Sequence, residues 1–360
     1  MRMLIQLLSE QSLPSAIATA ALEPDRVVCM DTGRFSDQVD RLQAVAGTPH
    51  EARPYQPYDL EANQEAMRDL LHGLPDDADI WLNVTGGTKM MALPAAVLGS
   101  RAGAHVVYID SVTQELVELD AELHARRREL GPLLSVEDYV RLAGEQVAED
   151  EDPEGMTGRW ALTTRLFKAQ PHGRDVYDLT SRAADLRNEG RRDPRRQEAL
   201  RRGSVSAGSL CASWRPGHLS VEGLPGVSKA SVPCADALEY LAGGWREEYV
   251  AEGLRRSGYF DEVRANLKIR WSDSTLRSMR RARREFSETK NEIDVWAQKG
   301  LRPVLIECKS RYTDSGQLHK LKFIRDHLGG AFGVAILMAG KCPERDVREK
   351  AADQGMHVVA

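Results

Sequence analysis

The chain has 360 residues, of which 29% are charged and 6% aromatic, and its formal net charge is -5. That length suits two ordinary domains with cores of their own, and the negative balance excludes a generic nucleic-acid coat while leaving room for local basic clusters. Five scattered cysteines form no CxxC pair and nine scattered histidines no HExxH spacing, so free thiols in a reducing cytoplasm are expected and a zinc site is not.

In chain order, Met1 to Leu8 is too short for a signal-peptide core and reads as a first buried strand, and no stretch approaches a membrane span. Apolar runs follow at 27–30, 80–84 and 105–109, with helical patterns at 14–22, 36–46, 59–71 and 89–101 between them. Alternating strands and helices predict a Rossmann-like α/β domain, a mostly parallel sheet that binds ligands at the carboxyl ends of its strands. Pro94 predicts a kink or a shortened first turn in the helix over 89–101. The acidic run at 149–154, closed by Pro153 and Gly155, marks a boundary. It gives a first domain over 1–145, a stretch over 155–230 whose fold the sequence leaves open (a helical connector is the expectation), and a last domain over 231–360. In the last domain helices flank Gly243-Gly244, two strands carry Asp294 and Glu307, and a helix covers 317–328. A strand over 332–338, a helix after Pro343 and a closing strand over 356–359 complete it.

Three constellations carry chemistry. The first is Asn291-Glu292-Ile293-Asp294 followed by Pro303-Val304-Leu305-Ile306-Glu307-Cys308-Lys309. Side chains two apart on a strand share a face, so Glu307 and Lys309 point one way and Cys308 the other. Two acids and a lysine at one sheet edge suit phosphodiester hydrolysis, the acids holding a divalent metal and the lysine steadying water or phosphate. A plain surface ion pair at a strand end is the alternative.

The second is Asn83-Val84-Thr85-Gly86-Gly87-Thr88-Lys89-Met90, where a strand turns into a helix. Glycines there let the backbone approach a ligand, and the amides of the helix start attract anions. It lacks the GK[ST] ending of a Walker A loop. Gln11 and Ser12, in the turn after the first strand, belong to the same sheet end. The third is a basic run over 264–290, with Arg280, Arg281, Arg283, Arg284 and Lys290 as candidate contacts to a phosphate backbone and Trp271 and Phe286 as stacking platforms.

With these residues in view, the element order and the Asn-x-Thr-Gly-Gly-Thr-Lys-Met string resemble the CRISPR-associated Rossmann-fold (CARF) sensor domain. Asp294 with Glu307-x-Lys309 resembles the PD-(D/E)xK nuclease, a restriction-endonuclease-like α/β fold. The pairing resembles the ancillary CRISPR effectors activated by cyclic oligoadenylate, and Gly243-Gly244-Trp245-Arg246-Glu247-Glu248-Tyr249-Val250 is similar to their Gly-Gly-Trp-Leu-Glu-x-Tyr-Val helix, with Arg246 in place of leucine. The resemblance implies that Glu247, Asp294 and Glu307 bind manganese or magnesium and that Lys309 places the attacking water; Glu248 is the alternative to Glu247, since helix phase is open to one residue. It implies that Gln11, Ser12, Asn83, Thr85, Gly86, Gly87, Thr88, Lys89 and Met90 hold cyclic oligoadenylate, cyclic tetra-adenylate before the hexa-adenylate, across a homodimer. The implied activity is ring-activated cleavage of DNA, single-stranded RNA or both, in the cytoplasm, with little sequence preference and no membrane partner. A non-catalytic, ring-responsive DNA-binding regulator is the competing class.

Overall fold

The structure is a computed structural model that describes all residues except 121, 123, 150–152, 170–173, 282–291, 310–314, 341–342 and 360. The first domain opens with β1 (Arg2–Leu7), α1 (Leu13–Leu22), β2 (Arg26–Asp31), α2 (Ser36–Ala46), β3 (His50–Pro54), α3 (Leu60–His72), β4 (Asp79–Asn83) and α4 (Lys89–Arg101). It closes with β5 (His105–Asp110), β6 (Glu115–Leu119) and β7 (Ala125–Glu129). The sheet order is β3-β2-β1-β4-β5-β6-β7. The first five strands pair in parallel, and β6 and β7 add an antiparallel edge. The parallel strands are apolar because helices cover both faces; β1 is buried from Met3 to Leu7. Strand order reverses beside β1, between β2 and β4, and that switch point places the turns after β1 and β4 at one crevice.

α4 runs through Pro94 rather than stopping there. Proline cannot donate to the carbonyl four residues back, and the freed Met90 carbonyl accepts instead from Asn63 Nδ2 at 3.1 Å. A hydrogen bond from α3 thus replaces the one the ring removes.

α5 (Val136–Leu142) leads to β8 (Gln146–Glu149), and α6 (Pro153–Ala169), α7 (Arg174–Arg192) and α8 (Pro194–Ala199) follow. The stretch expected as a helical connector holds more than helices: β9 (Gly203–Ala207), β10 (Leu210–Arg215), β11 (His218–Glu222) and β12 (Lys229–Pro233) form an antiparallel sheet. β9 and β10 alternate, with Val205, Ala207, Leu210, Ala212 and Trp214 buried against Leu179 and Ala183 of α7. The period was present but weakened by Gly203, which opens β9 without a side chain, and by Gly208 and Gly217, which make its turns.

The last domain begins with α9 (Ala237–Glu239), a π turn over Tyr240–Gly244, α10 (Trp245–Ser257) and β13 (Glu262–Arg270). α11 (Asp273–Arg281), β14 (Glu292–Lys299), β15 (Arg302–Lys309), α12 (Ser315–Ile324), β16 (Val334–Ala339), α13 (Arg345–Asp353) and β17 (His357–Val359) complete it. Its sheet order is β17-β16-β15-β14-β13-β8, so the far edge strand comes from residues 146–149. The core between the first and last domains is continuous: Leu4, Ile17 and Tyr139 belong to the same buried cluster as Trp296, Leu301 and Leu305.

Candidate active site

β14 and β15 form a hairpin through Gly300, whose φ of +58° is one that glycine adopts without strain. Their ladder runs from Lys299 opposite Arg302 to Val295 opposite Ile306 and ends there. Beyond it Asp294 turns its carboxylate onto the neighbouring strand, where Cys308 N–H donates to Asp294 Oδ2 at 2.7 Å. The strands therefore part just where the acids stand. Lys309 pairs with Glu307 and lies 3.6 Å from Asp294 Oδ2, and Lys320 from α12 lies 3.7 Å from Glu307 Oε2. Asp294 and Glu307 are buried, at 7% and 4% exposure.

Helix α10 brings the third acid. Glu248 is bound by Arg159 of α6, whose Nε donates to Glu248 Oε1 at 2.9 Å. Glu247 is instead the carboxyl that faces the cluster: burial and then Asp294 and Glu292 push its pKa up. Glu248 is thus engaged by a partner 89 positions upstream that no local pattern announces.

Electrostatics follow from crowding. Burial and the nearby Glu307 raise Asp294 to about 7, against the opposing pull of Lys309 and the Cys308 amide. Burial works to discharge Lys309, but Asp294 and Glu307 overcome it and hold the ammonium above its usual range. Burial, then Asp294 and Glu247, keep the Cys308 thiol protonated, so it is no nucleophile.

As they stand, no three His, Cys, Asp or Glu side chains among the described residues are grouped as a metal site, and the Lys309 ammonium lies between Asp294 and Glu307. The chemistry of the donor set nevertheless fits a hard divalent cation: it offers carboxylate oxygens, burial raises the pKa of Glu247 and Asp294, and no imidazole is grouped with them among the described residues.

The loop after β4 divides by role. Asn83 Oδ1 accepts from Thr85 N–H at 3.1 Å and from the Thr85 hydroxyl at 2.6 Å, and Thr85 Oγ1 accepts from Ile109 N–H at 2.7 Å. These two side chains fix the loop to β5. Gly86 is buried with no room for a side chain, since a Cβ would come within 2.0 Å of the Leu7 carbonyl oxygen. Thr88 donates to the Pro57 carbonyl, while Gly87, Lys89 and Met90 are exposed at the start of α4. Ser12 Oγ donates to the Leu142 carbonyl at 3.3 Å, and Gln11 Oε1 accepts from Ala331 N–H at 3.3 Å. Both residues therefore reach outside the first sheet, Gln11 as far as the last domain.

Of the basic run, Arg283, Arg284, Lys290 and Phe286 lie outside the described residues, as do the side chains of Arg280 and Arg281. Trp271 is buried, edge-on to Phe323, and is not an open stacking platform. Sequence reading also missed Glu145, which accepts from Ser272 N–H, Thr275 Oγ1 (2.7 Å) and His327 Nε2 (2.9 Å). It ties the start of β8 to α11 and to the turn after α12, and no local signal marked it.

The hairpin thus sets Asp294 and Glu307 around the Lys309 ammonium, with Glu247 within their electrostatic reach. Residues 234–360, the C-terminal third of the chain, match the family model of the Card1-like endonuclease domain. No curated protein matches the sequence. Among solved structures, Can2 from Sulfobacillus thermosulfidooxidans, in complex with cyclic tetra-adenylate, superposes with a TM-score of 0.70 at 19% identity, covering 99% of this chain and 95% of that one. The protein VC1899 from Vibrio cholerae gives 0.75 at 14% identity, covering 99% and 93%. A type III CRISPR defence DNA nuclease activated by cyclic oligoadenylate gives 0.55 at 16% identity, and this chain spans 50% of its length. The shared feature at these identities is the fold, over nearly the whole of this chain.

Proposed function

We propose that this chain is a metal-dependent nuclease of type III CRISPR defence, switched on by cyclic oligoadenylate bound at its first domain. The observation that carries the reading is the Glu247–Asp294–Glu307–Lys309 cluster, set in a domain that matches an endonuclease family. Glu247, Asp294 and Glu307 would hold manganese or magnesium, which supplies charge neutralisation and an activated water when bound. Lys309, kept protonated by its acidic neighbours, orients the water or steadies the phosphate; Lys320 backs Glu307. The competing regulator reading gives buried acids beside a DNA surface no task.

Cyclic tetra-adenylate, the ring carried by the Can2 structure, is proposed to rest on Gly87, Thr88, Lys89 and Met90, with Asn83, Thr85 and Gly86 shaping the loop. A homodimer is part of the proposal: α4 exposes Met90, Leu93 and Val97 at 43%, 59% and 49%, a helical stripe beside that loop. The ring acts by binding the active arrangement more tightly. The substrate is DNA, single-stranded RNA or both. Cytoplasmic location agrees with the unpaired Cys29, Cys211, Cys234 and Cys308, and no described helix is long and apolar enough to cross a membrane.

The test is cleavage of supercoiled plasmid and labelled single strands with manganese, with and without cyclic tetra-adenylate. Ring-dependent cleavage, lost by a factor of about 10³ or more in Glu307→Ala and Lys309→Ala with ring affinity unchanged, is expected. Retained cleavage in both variants would sink the active-site assignment. Independently of activity, manganese should raise the wild-type Tm and leave that of Glu307→Ala unmoved.

A further inference from the structure

Apart from Arg159, the stretch over 155–230 has no part in either site above, yet its charge runs against that of the chain: residues 187–202 hold seven arginines against three acids. α7 and α8 set them side by side. Arg187 and Arg191 both donate to Glu239, at 2.6 and 2.8 Å, while Arg196 pairs with Glu189 at 2.9 Å and Arg201 with Glu198 at 3.0 Å. Arg192, Arg195 and Arg202 are exposed and have no ion-pair partner among the described residues. A cavity of about 700 Å³ opens beside them, lined by Arg187, Arg191 and Arg201 and by Arg215 from β10.

This basic surface adjoins the acidic cluster through Glu239. That residue ends α9, and the chain passes directly through the π turn into α10 and Glu247. Glu239 is also within electrostatic reach of Glu292 on β14, whose carbonyl accepts from Lys320 Nζ at 3.3 Å. Lys320 in turn pairs with Glu307.

We propose that the arginines of α7 and α8, with Arg215 across the cavity, are the track on which the phosphodiester backbone of the nucleic-acid substrate docks on its way to Asp294 and Glu307. The proposal rests on the nuclease reading and adds where the substrate lies. Guanidinium forks match phosphate oxygens in a bidentate way and carry no base code, as a nuclease of low sequence preference requires. Glu239 holds Arg187 and Arg191 in place. An acidic protein or a membrane fits less well: α8 buries no residue, and none of the exposed large apolar side chains belongs to this surface, whereas those partners need an apolar core or wedge.

The test uses full-length protein in EDTA, so that strands bind uncut, with a fluorescein-labelled single strand and a labelled duplex read by anisotropy. In Arg192→Glu/Arg195→Glu/Arg202→Glu, affinity at about 0.1 M NaCl should fall about tenfold or more, and the slope of log K against log salt should shrink by about 2. Cyclic tetra-adenylate affinity and Tm should stay at wild-type values, and Arg348→Glu, on α13, should bind strands normally. Unchanged strand affinity in the triple variant, or an equal loss in Arg348→Glu, overturns the track while leaving ring-dependent cleavage by the wild type intact. A wild type that neither binds nor cuts any strand overturns both the track and the nuclease reading.

Discussion

Asp294 is a carboxyl whose position works against stability. Burial and Glu307 raise its folded-state pKa to about 7, above an unfolded value of about 3.9. Such a group favours the fold at low pH; as pH climbs from the unfolded value through the folded one, the unfolded chain ionises first and the fold loses stability. Asp294→Asn is therefore expected to abolish cleavage yet raise Tm by roughly 2–5 °C near pH 8, with a smaller gain near pH 5. A Tm below wild type near pH 8 in thermal denaturation contradicts this. Arg246 is a second such residue. It is 8% exposed and lies over the Trp245 ring, and its Nε and Nη1 have no hydrogen-bond partner among the described residues. Burial lowers its pKa to about 10. An apolar side chain of similar reach removes an uncompensated charge, so Arg246→Leu, the residue of the resembling helix, should raise Tm by roughly 2–5 °C. Calorimetry showing a loss of that size would mean that the guanidinium is needed.

The loop after β4 shows what an element-level pattern conveys and what it leaves out. Strand, glycines and helix start were legible from order alone, because glycines between an apolar run and a helical period have few other uses. The division of labour was not. Thr85 is held by Ile109 N–H and Asn83 Nδ2 reaches the Pro14 carbonyl at 3.4 Å, so both partners come from other elements. Gly86→Ala drives a methyl into the Leu7 carbonyl and should lower Tm by several degrees while weakening ring binding, by roughly 2–3 kcal/mol in stability. Thr88→Ala, which removes one hydroxyl contact to Pro57, should weaken ring binding with a much smaller change in Tm, and isothermal titration separates the two.

At the scale of the molecule, the last domain is not self-contained. Its sheet takes an edge strand from residues 146–149, Glu248 is neutralised by Arg159, and Tyr139 Oη donates to the Leu301 carbonyl at 2.8 Å. Residues 234–360 expressed alone should therefore not unfold cooperatively, because they leave a buried carboxylate unpaired and a strand edge open. The full chain should do so with the first and last domains melting together, given their continuous core. A sharp calorimetric transition in the fragment would contradict this.

The sequence by itself determined the alternating first domain, the two strands that carry the acids and the lysine beside them, since period, glycine placement and residue chemistry are local properties. Tertiary structure alone decided that Glu247 rather than Glu248 faces the acids, that residues 203–233 fold as a sheet, and that Gln11 reaches the last domain. Each of those outcomes depends on a partner that lies far away along the chain, and distance in sequence leaves no periodic trace.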